Sequence, residues 1–152
     1  MTKAEPSPMA LALEQARAAA GRGEVPVGAV LVDGASGHVI AVAGNRTEAD
    51  ADPTAHAEML VIREGAVAQG APRLDGMDLY VTLEPCAMCA AAISLARIRR
   101  LTFGAYDPKM GGVDHGARVF DQPTCHHRPE VVGGIGESEA AALLKEFFKD
   151  RR

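Results

Sequence analysis

The amino-acid sequence predicts an α/β protein in which helices pack around one sheet that opens with an antiparallel hairpin. Three observations predict this class: short apolar runs alternate with stretches of helical pattern, a Gly-rich turn separates the first two runs, and the last helical stretch is amphipathic. The chain has 152 residues, a length that favours one core, and we expect a single domain over residues 1–152.

The first half of the chain predicts a helix followed by a hairpin. Ser7 is a favourable capping residue and Pro8 suits the first helical position, so a helix is expected to begin there and to end near Gly21. The apolar runs 27–32 and 38–43 are joined by a short polar turn, which is typical of a β-hairpin.

The second half continues the alternation of helices and strands. The predicted elements are a helix opened by Asp52-Pro53-Thr54 and ending near Gln69, a strand over 79–83, a helix from Pro85 to about Leu95, and strands at 101–103 and 131–132. Residues 140, 143, 144, 147 and 148 are apolar and share one face of a final amphipathic helix. Residues 106–128 are Gly-rich and polar, and no pattern assigns an element there.

The charge balance limits the ways in which the protein can bind nucleic acid. Sixteen basic and 20 acidic residues give a net charge of −4, which excludes binding through bulk positive charge. Such binding needs a local basic patch. The candidates are Arg97, Arg99, Arg100, Lys145, Lys149, Arg151 and Arg152.

The cysteine count and hydropathy indicate the compartment. Three unevenly spaced cysteines are not typical of a secreted disulfide framework. No apolar stretch approaches the roughly 20 residues of a membrane span, and residues 1–7 lack the apolar run of a signal peptide. We therefore expect a cytoplasmic protein without membrane contact.

His56, Cys86 and Cys89 are the strongest metal-ligand candidates. The two cysteines are three residues apart directly after Pro85, so on a helix both thiols lie on one face of the first turn. The helix dipole favours thiolates there. One imidazole and two thiolates suit tetrahedral zinc and leave a position open for water, as in catalytic sites, although iron or cobalt accept the same donors.

Glu58 is the candidate proton shuttle. It follows His56 by two residues, and on a regular helix such residues do not face each other. Both side chains can still approach one site if that site lies end-on to the helix N-terminus. A carboxylate beside zinc-activated water can take its proton and pass it to a leaving group.

Other interpretations of these residues stay open at this point. Cys86 and Cys89 alone could form a redox pair of the thioredoxin kind. Cys125 could complete a purely structural zinc site, although residues 125–127 are more simply a polar loop. A zinc-stabilised RNA-binding module without catalysis is a third hypothesis.

Two motifs carry a resemblance to a known family. His56-Ala57-Glu58 followed by Pro85-Cys86-Ala87-Met88-Cys89 is similar to the signature of the zinc deaminases, in which the glutamate is a general acid and base and not a ligand. The chain further resembles the bacterial tRNA adenosine deaminases of the cytidine/deoxycytidylate deaminase superfamily from about residue 8 to 152. The matching stretches are 24–30, 45–46, 52–58, 79–86, 103–105 with Asp107, and 143–148 with Arg151 and Arg152.

The resemblance implies the fold, the reaction and the partners. The fold is a three-layer α/β/α sandwich with a mixed, about five-stranded sheet, as in cytidine deaminases. The reaction is zinc-dependent hydrolytic deamination of the wobble adenosine of a tRNA anticodon to inosine, by a homodimer that holds the anticodon loop.

The same resemblance implies individual roles. His56, Cys86 and Cys89 would bind zinc, and Glu58 would move protons. The implied substrate-binding residues are Val27, packed on the base, Asn45, hydrogen-bonded to it, Ala57 and Pro85, whose neighbouring backbone fixes the base edge, and Asp107 and Phe148, at the adjacent nucleotides.

The chain departs from the family pattern at one stretch. Tyr106 stands where a basic residue is common, and the stretch Gly111-Gly112-Val113-Asp114-His115-Gly116 stands where small residues and Ser are common. The alternative function is therefore deamination of a free nucleobase or nucleoside of the guanine, cytosine or adenine type.

Overall fold

A five-stranded sheet in the order β2-β1-β3-β4-β5 forms the centre of the protein. The computed structural model describes residues 5–149 and 151. Its elements in chain order are α1 (Pro8–Gly21), β1 (Gly28–Asp33), β2 (Val39–Gly44), α2 (Ala57–Gln69), β3 (Met77–Leu83), α3 (Ala87–Ala96), β4 (Arg100–Ala105), a 3₁₀ helix (Val119–Asp121), β5 (Glu130–Val132) and α4 (Glu137–Lys149). Arg152, a candidate basic contact, lies outside the described residues.

The sheet is mixed, as predicted. The strand β1 pairs antiparallel with both β2 and β3, which confirms the hairpin, and β3, β4 and β5 run parallel. The helix α3 makes the crossover between the parallel strands β3 and β4. The carboxyl end of β3 therefore leads through Glu84 and Pro85 into the predicted cysteine motif.

Helices cover both faces of the sheet, which confirms the three-layer sandwich. Ala29 and Leu31 of β1 pack in the core shared with α2 and α3. Val30 and Val32 pack in the second core, shared with α1 and α4. Side chains alternate between the faces of a strand, so a strand buried on both sides is apolar throughout.

The helix α1 begins as the sequence predicts, whereas α4 buries only part of its predicted apolar face. Ser7 caps α1, where its Oγ accepts a hydrogen bond of 3.1 Å from the backbone N–H of Ala10. In α4, Ala140 and Phe147 are buried, whereas Phe148 is 50% exposed.

The predicted start of α2 is wrong by several residues. Asp52 Oδ1 accepts hydrogen bonds from the N–H of Thr54 at 2.8 Å and from its hydroxyl at 2.7 Å, which closes a turn instead of capping a helix. His56 has extended backbone angles and is the N-cap, and α2 begins at Ala57. With this start, both His56 and Glu58 lie at the N-terminal end of α2.

Residues 106–128 form a loop with a short 3₁₀ helix and an isolated antiparallel bridge from Gly111 to Cys86, and this explains why no periodicity assigned them. Within residues 5–149 and 151, no helix combines the length and the apolar character needed to cross a lipid bilayer.

Candidate active site

Two helix N-termini meet at the predicted metal ligands. His56 is the N-cap of α2, Cys86 is the N-cap of α3, and Cys89 lies in the first turn of α3. His56 Nδ1 lies 3.6 Å from Cys86 Sγ and 3.4 Å from Cys89 Sγ. All three donor atoms lie within 4.8 Å of one another.

This donor set fits tetrahedral zinc. Zinc binds sulfur at about 2.3 Å and imidazole nitrogen at about 2.0–2.1 Å, so tetrahedral ligands lie about 3.5–3.8 Å apart. The distances from His56 Nδ1 to the two sulfurs agree with that separation. The imidazole in this set favours a metal centre over a plain redox pair of cysteines.

Cys125 does not join the ligand set in the described part of the chain. Its Sγ lies 3.5 Å from Ser94 Oγ and 3.3 Å from the carbonyl oxygen of His127. With three ligands together, the arrangement matches zinc sites that keep one position open, not closed structural sites with four protein ligands.

The electrostatics of the ligands favour metal binding. The hydrogen bond from the Cys89 thiol, together with one from His56, lowers the pKa of Cys86 to about 4 against the effect of burial. The same hydrogen bond and burial raise the pKa of Cys89. The hydrogen bond to Cys86 raises the pKa of His56. These effects favour the thiolate form of Cys86, which is the form that binds metal.

Glu58 lies beside the ligands in the first turn of α2 and is 4% exposed. Burial raises the pKa of its carboxyl to about 6, although its own backbone N–H and the nearby His56 oppose the shift. A carboxyl that titrates near neutrality can both take and give a proton. The end-on arrangement allows His56 and Glu58 to reach one site despite their spacing.

A pocket of about 260 Å³ opens in front of these residues. It brings together six of the predicted site residues: Val27, Asn45, His56, Glu58, Cys86 and Asp107. Its other lining residues are Val25, Thr47, Leu83, Glu84 and Met110.

The remaining predicted residues lie away from the pocket wall. Cys89 and Ala57 are fully buried behind it. Pro85 is buried as well, and its carbonyl oxygen accepts a 2.8 Å hydrogen bond from the N–H of Gly112. Phe148 projects from α4, with its ring edge-on to Phe147 at a centroid distance of 5.3 Å.

Sequence reasoning missed two buried glutamates next to the site. Glu24 is 1% exposed and Glu84 is 2% exposed. Both stand inside stretches that carried the resemblance, and each is an ionisable residue directly beside an apolar run. That position is the signal that could have identified them, because a buried carboxylate needs hydrogen-bond donors.

The chain belongs to the zinc-binding cytidine and deoxycytidylate deaminase family, whose zinc-binding region matches residues 3–105. Among its curated relatives is the tRNA-specific adenosine deaminase of Agrobacterium fabrum (strain C58), which is 60% identical over 144 residues, 95% of this chain and 93% of the relative.

Solved structures agree with this assignment. A structure from work on A-to-I editing by tRNA:A34 deaminases superposes with a TM-score of 0.88 and 61% identity over 90% of this chain and 98% of that chain. The guanine deaminase of Nitrosomonas europaea shares the fold, with a TM-score of 0.80 at 24% identity over 97% of this chain and 86% of that chain.

Proposed function

We propose that this protein is a zinc-dependent tRNA adenosine deaminase that hydrolyses the wobble adenosine of an anticodon to inosine and ammonia. The observation that carries the reaction is the buried Glu58 carboxyl beside the His56, Cys86 and Cys89 donors at the pocket floor. The 60% identity to a tRNA-specific adenosine deaminase supports the choice of substrate.

The ligands and Glu58 have separate roles in this proposal. His56, Cys86 and Cys89 would hold zinc, which when bound lowers the pKa of a water molecule to about 7. Glu58 takes a proton from the attacking water and delivers it to the ring nitrogen of adenine. The new C–O bond forms, the C–N bond to the amino group breaks, and Glu58 passes the second proton to the departing ammonia.

The pocket favours a single base that leaves its stack. Its volume of about 260 Å³ lies below the range of about 300–1,000 Å³ for ligand pockets, so it admits one base and not a folded RNA segment. Val27 supplies an apolar surface and Asn45 a side-chain amide at the lining. We assign these residues to the flipped base and Asp107, at the lining, to a neighbouring nucleotide.

The remaining assignments extend beyond the pocket. The backbone near Ala57 and Pro85 would meet the base edge, and the exposed Phe148 would stack on a neighbouring base. The exposed Lys145, Lys149 and Arg151 are our candidates for phosphate contacts.

We also propose a homodimer and a cytoplasmic location, where tRNA is available. The helix α3 leaves Leu95 66% exposed next to the exposed Ala91. Both residues line a groove with Val119 and Thr124, and a second copy would cover this apolar surface. Sedimentation analysis should give twice the chain mass, and Leu95→Asp should shift the protein to a monomer.

The decisive experiment measures ammonia and inosine from the zinc-loaded protein. Parallel reactions contain bulk bacterial tRNA, an anticodon stem-loop with adenosine at the wobble position, and free guanine, adenine and cytosine. We expect turnover on the two RNAs alone. Turnover of a free base with none on RNA would overturn the proposal in favour of a small-molecule deaminase.

Salt dependence provides an independent arm of the same experiment. Binding of the stem-loop should weaken steeply with added salt, because phosphate contacts release counterions. RNA affinity without ammonia release would indicate a silent binding module and would also contradict the proposal.

A further inference from the structure

We propose that the buried carboxylates of Glu24 and Glu84 are positioning residues, each of which orders one of two loops that wall the substrate pocket. We name these loops the Asn45 wall (residues 45–49) and the Asp107 wall (residues 107–115). The proposal rests on the proposed function, because it concerns the geometry in which RNA meets this pocket.

Glu84 gathers the Asp107 wall around a single carboxylate. Its Oε1 accepts hydrogen bonds from the N–H of Asp107 at 3.0 Å and from His115 Nδ1 at 2.8 Å. Its Oε2 accepts three more, from the backbone N–H groups of Val113 at 3.2 Å, Asp114 at 3.0 Å and His115 at 3.1 Å. Both ends of the wall are therefore tied to one side chain.

Two adjacent glycines let the Asp107 wall lie directly on the metal-ligand motif. A Cβ at Gly111 would overlap the Glu84 carboxylate, and one at Gly112 would lie 2.5 Å from the backbone nitrogen of Ala87. The N–H of Gly112 donates a 2.8 Å hydrogen bond to the Pro85 carbonyl. The wall and the ligand helix are thus in backbone contact.

The residues that depart from the family pattern reinforce this wall. The Tyr106 ring packs edge-on against Phe103 at 5.1 Å between centroids and against His115 at 6.2 Å. His115 therefore connects the Glu84 carboxylate to an aromatic cluster behind the wall. We infer that Tyr106 and His115 serve the shape of the pocket here, in place of a basic contact to RNA.

Glu24 does the same on the opposite wall. Its Oε1 accepts a 3.1 Å hydrogen bond from the N–H of Glu48 and lies 3.4 Å from Thr47 Oγ1, and its Oε2 accepts a 2.8 Å bond from the N–H of Ala49. Thr47 Oγ1 in turn lies 3.5 Å from Asn45 Nδ2. The side chain assigned to the base is thereby connected to Glu24.

Neither carboxylate is free to act on the substrate itself, although Glu84 also lines the pocket. Glu24 is 1% exposed and is not among the pocket-lining residues. The oxygens of Glu84 share five donors from the protein, which uses their capacity to accept hydrogen bonds. Their influence on the reaction passes through Asn45 and Asp107.

Hydrogen exchange measured by mass spectrometry tests the ordering of the walls without any substrate. Glu24→Gln should speed amide exchange in residues 45–49 and leave residues 107–115 unchanged. His115→Ala should speed amide exchange in residues 107–115 and leave residues 45–49 unchanged. The matched controls are Glu14→Gln and His38→Ala, which change exposed residues on α1 and in the hairpin turn. Unchanged exchange, or an increase throughout the chain, would overturn the proposal.

Kinetics on the anticodon stem-loop test the consequence. His115→Ala removes one hydrogen bond to the buried Glu84 carboxylate. It should raise KM about tenfold, while kcat stays within about twofold and the zinc content is unchanged. His115→Gln keeps a donor for Glu84 and should restore most of the affinity. Loss of kcat at constant KM, or no recovery with glutamine, would contradict a positioning role.

The two arms separate this proposal from the function on which it rests. A wild-type protein inactive on RNA would refute the proposed function, whereas the exchange pattern would still decide whether each glutamate orders its own wall.

Discussion

Two glutamates near the metal ligands, Glu58 and Glu84, are both almost inaccessible to solvent, yet their pKa values shift in opposite directions. Glu58 is 4% exposed and Glu84 is 2% exposed. At Glu58 burial dominates and raises the pKa to about 6. At Glu84 burial also favours the neutral form, but hydrogen bonds from Asp107, His115 and Asp114 outweigh it and lower the pKa below its ordinary value.

The number of hydrogen-bond donors around a buried carboxyl determines whether its charged form is stable. With few donors, the charged form is unstable, and the group can exchange a proton near neutral pH. With five donors, the group stays ionised and holds a loop in place. In our proposals the same residue type therefore serves proton transfer at Glu58 and loop positioning at Glu84.

Removing the metal is the change with the largest expected effect, because the proposed reaction depends on the zinc that His56, Cys86 and Cys89 would hold. Dialysis against a chelator should reduce deamination to background, and added zinc should restore it. Cys86→Ser should prevent that recovery by weakening metal binding, as shown by metal content. Full activity in metal-free protein would contradict the assignment of His56, Cys86 and Cys89.

Glu58→Ala is expected to reduce kcat by about 10²–10⁴-fold, the range for loss of a general acid and base. Zinc content should be unchanged, because Glu58 is not a ligand. Glu64→Ala, at an exposed position of the same helix, is the matched control and should retain full activity. Retained turnover in Glu58→Ala would refute the proton-shuttle role.

Gly111→Ala should disturb the packing of the Asp107 wall and leave the metal ligands and Glu58 in place. Its Cβ would overlap the Glu84 carboxylate and lie 2.5 Å from the Asp107 carbonyl oxygen. Overpacking of this kind should lower the free energy of unfolding by about 1–3 kcal/mol in urea titrations. At Gly21 a Cβ meets nothing within 4 Å, so Gly21→Ala should be neutral or stabilise by less than about 1 kcal/mol.

Glu24→Gln is expected to have the smallest effect, a change in how the free energy of unfolding depends on pH. Burial alone would raise its pKa, but hydrogen bonds from Ala49, Glu48 and Thr47 lower it below the ordinary 4.5. The stabilisation from the ionised Glu24 carboxylate is therefore present above pH 4.5. It is lost as the pH falls through the lower pKa of Glu24 in the folded state.

Urea titrations from pH 7 to pH 3 measure this effect. Glu24→Gln should be less stable than wild type at pH 7, and the difference should shrink as the pH falls below about 4.5. Glu14→Gln should give a curve parallel to that of wild type. A constant difference between Glu24→Gln and wild type at all pH values would show that the carboxylate charge is not involved.

Local patterns predicted the elements and the floor of the pocket with small errors. The cap at Ser7, the hairpin and the spacing of Cys86 and Cys89 each depend on residues close in sequence, where steric and hydrogen-bonding preferences act directly. The start of α2 was wrong because Asp52 can cap a helix or close a turn with the same oxygen, and here it binds Thr54 in a turn.

The amino-acid sequence alone predicted the α/β class, the grouping of His56, Cys86 and Cys89, and Glu58 as the proposed acid–base residue beside them, because these features lie in short motifs with a defined chemistry. The tertiary structure was needed to find that Glu24 and Glu84 accept hydrogen bonds from the two loops that wall the pocket. Their donors lie 23 to 31 residues away along the chain, from Thr47 to His115. A carboxylate's charge state depends on the groups that folding brings to it, and no local pattern specifies them.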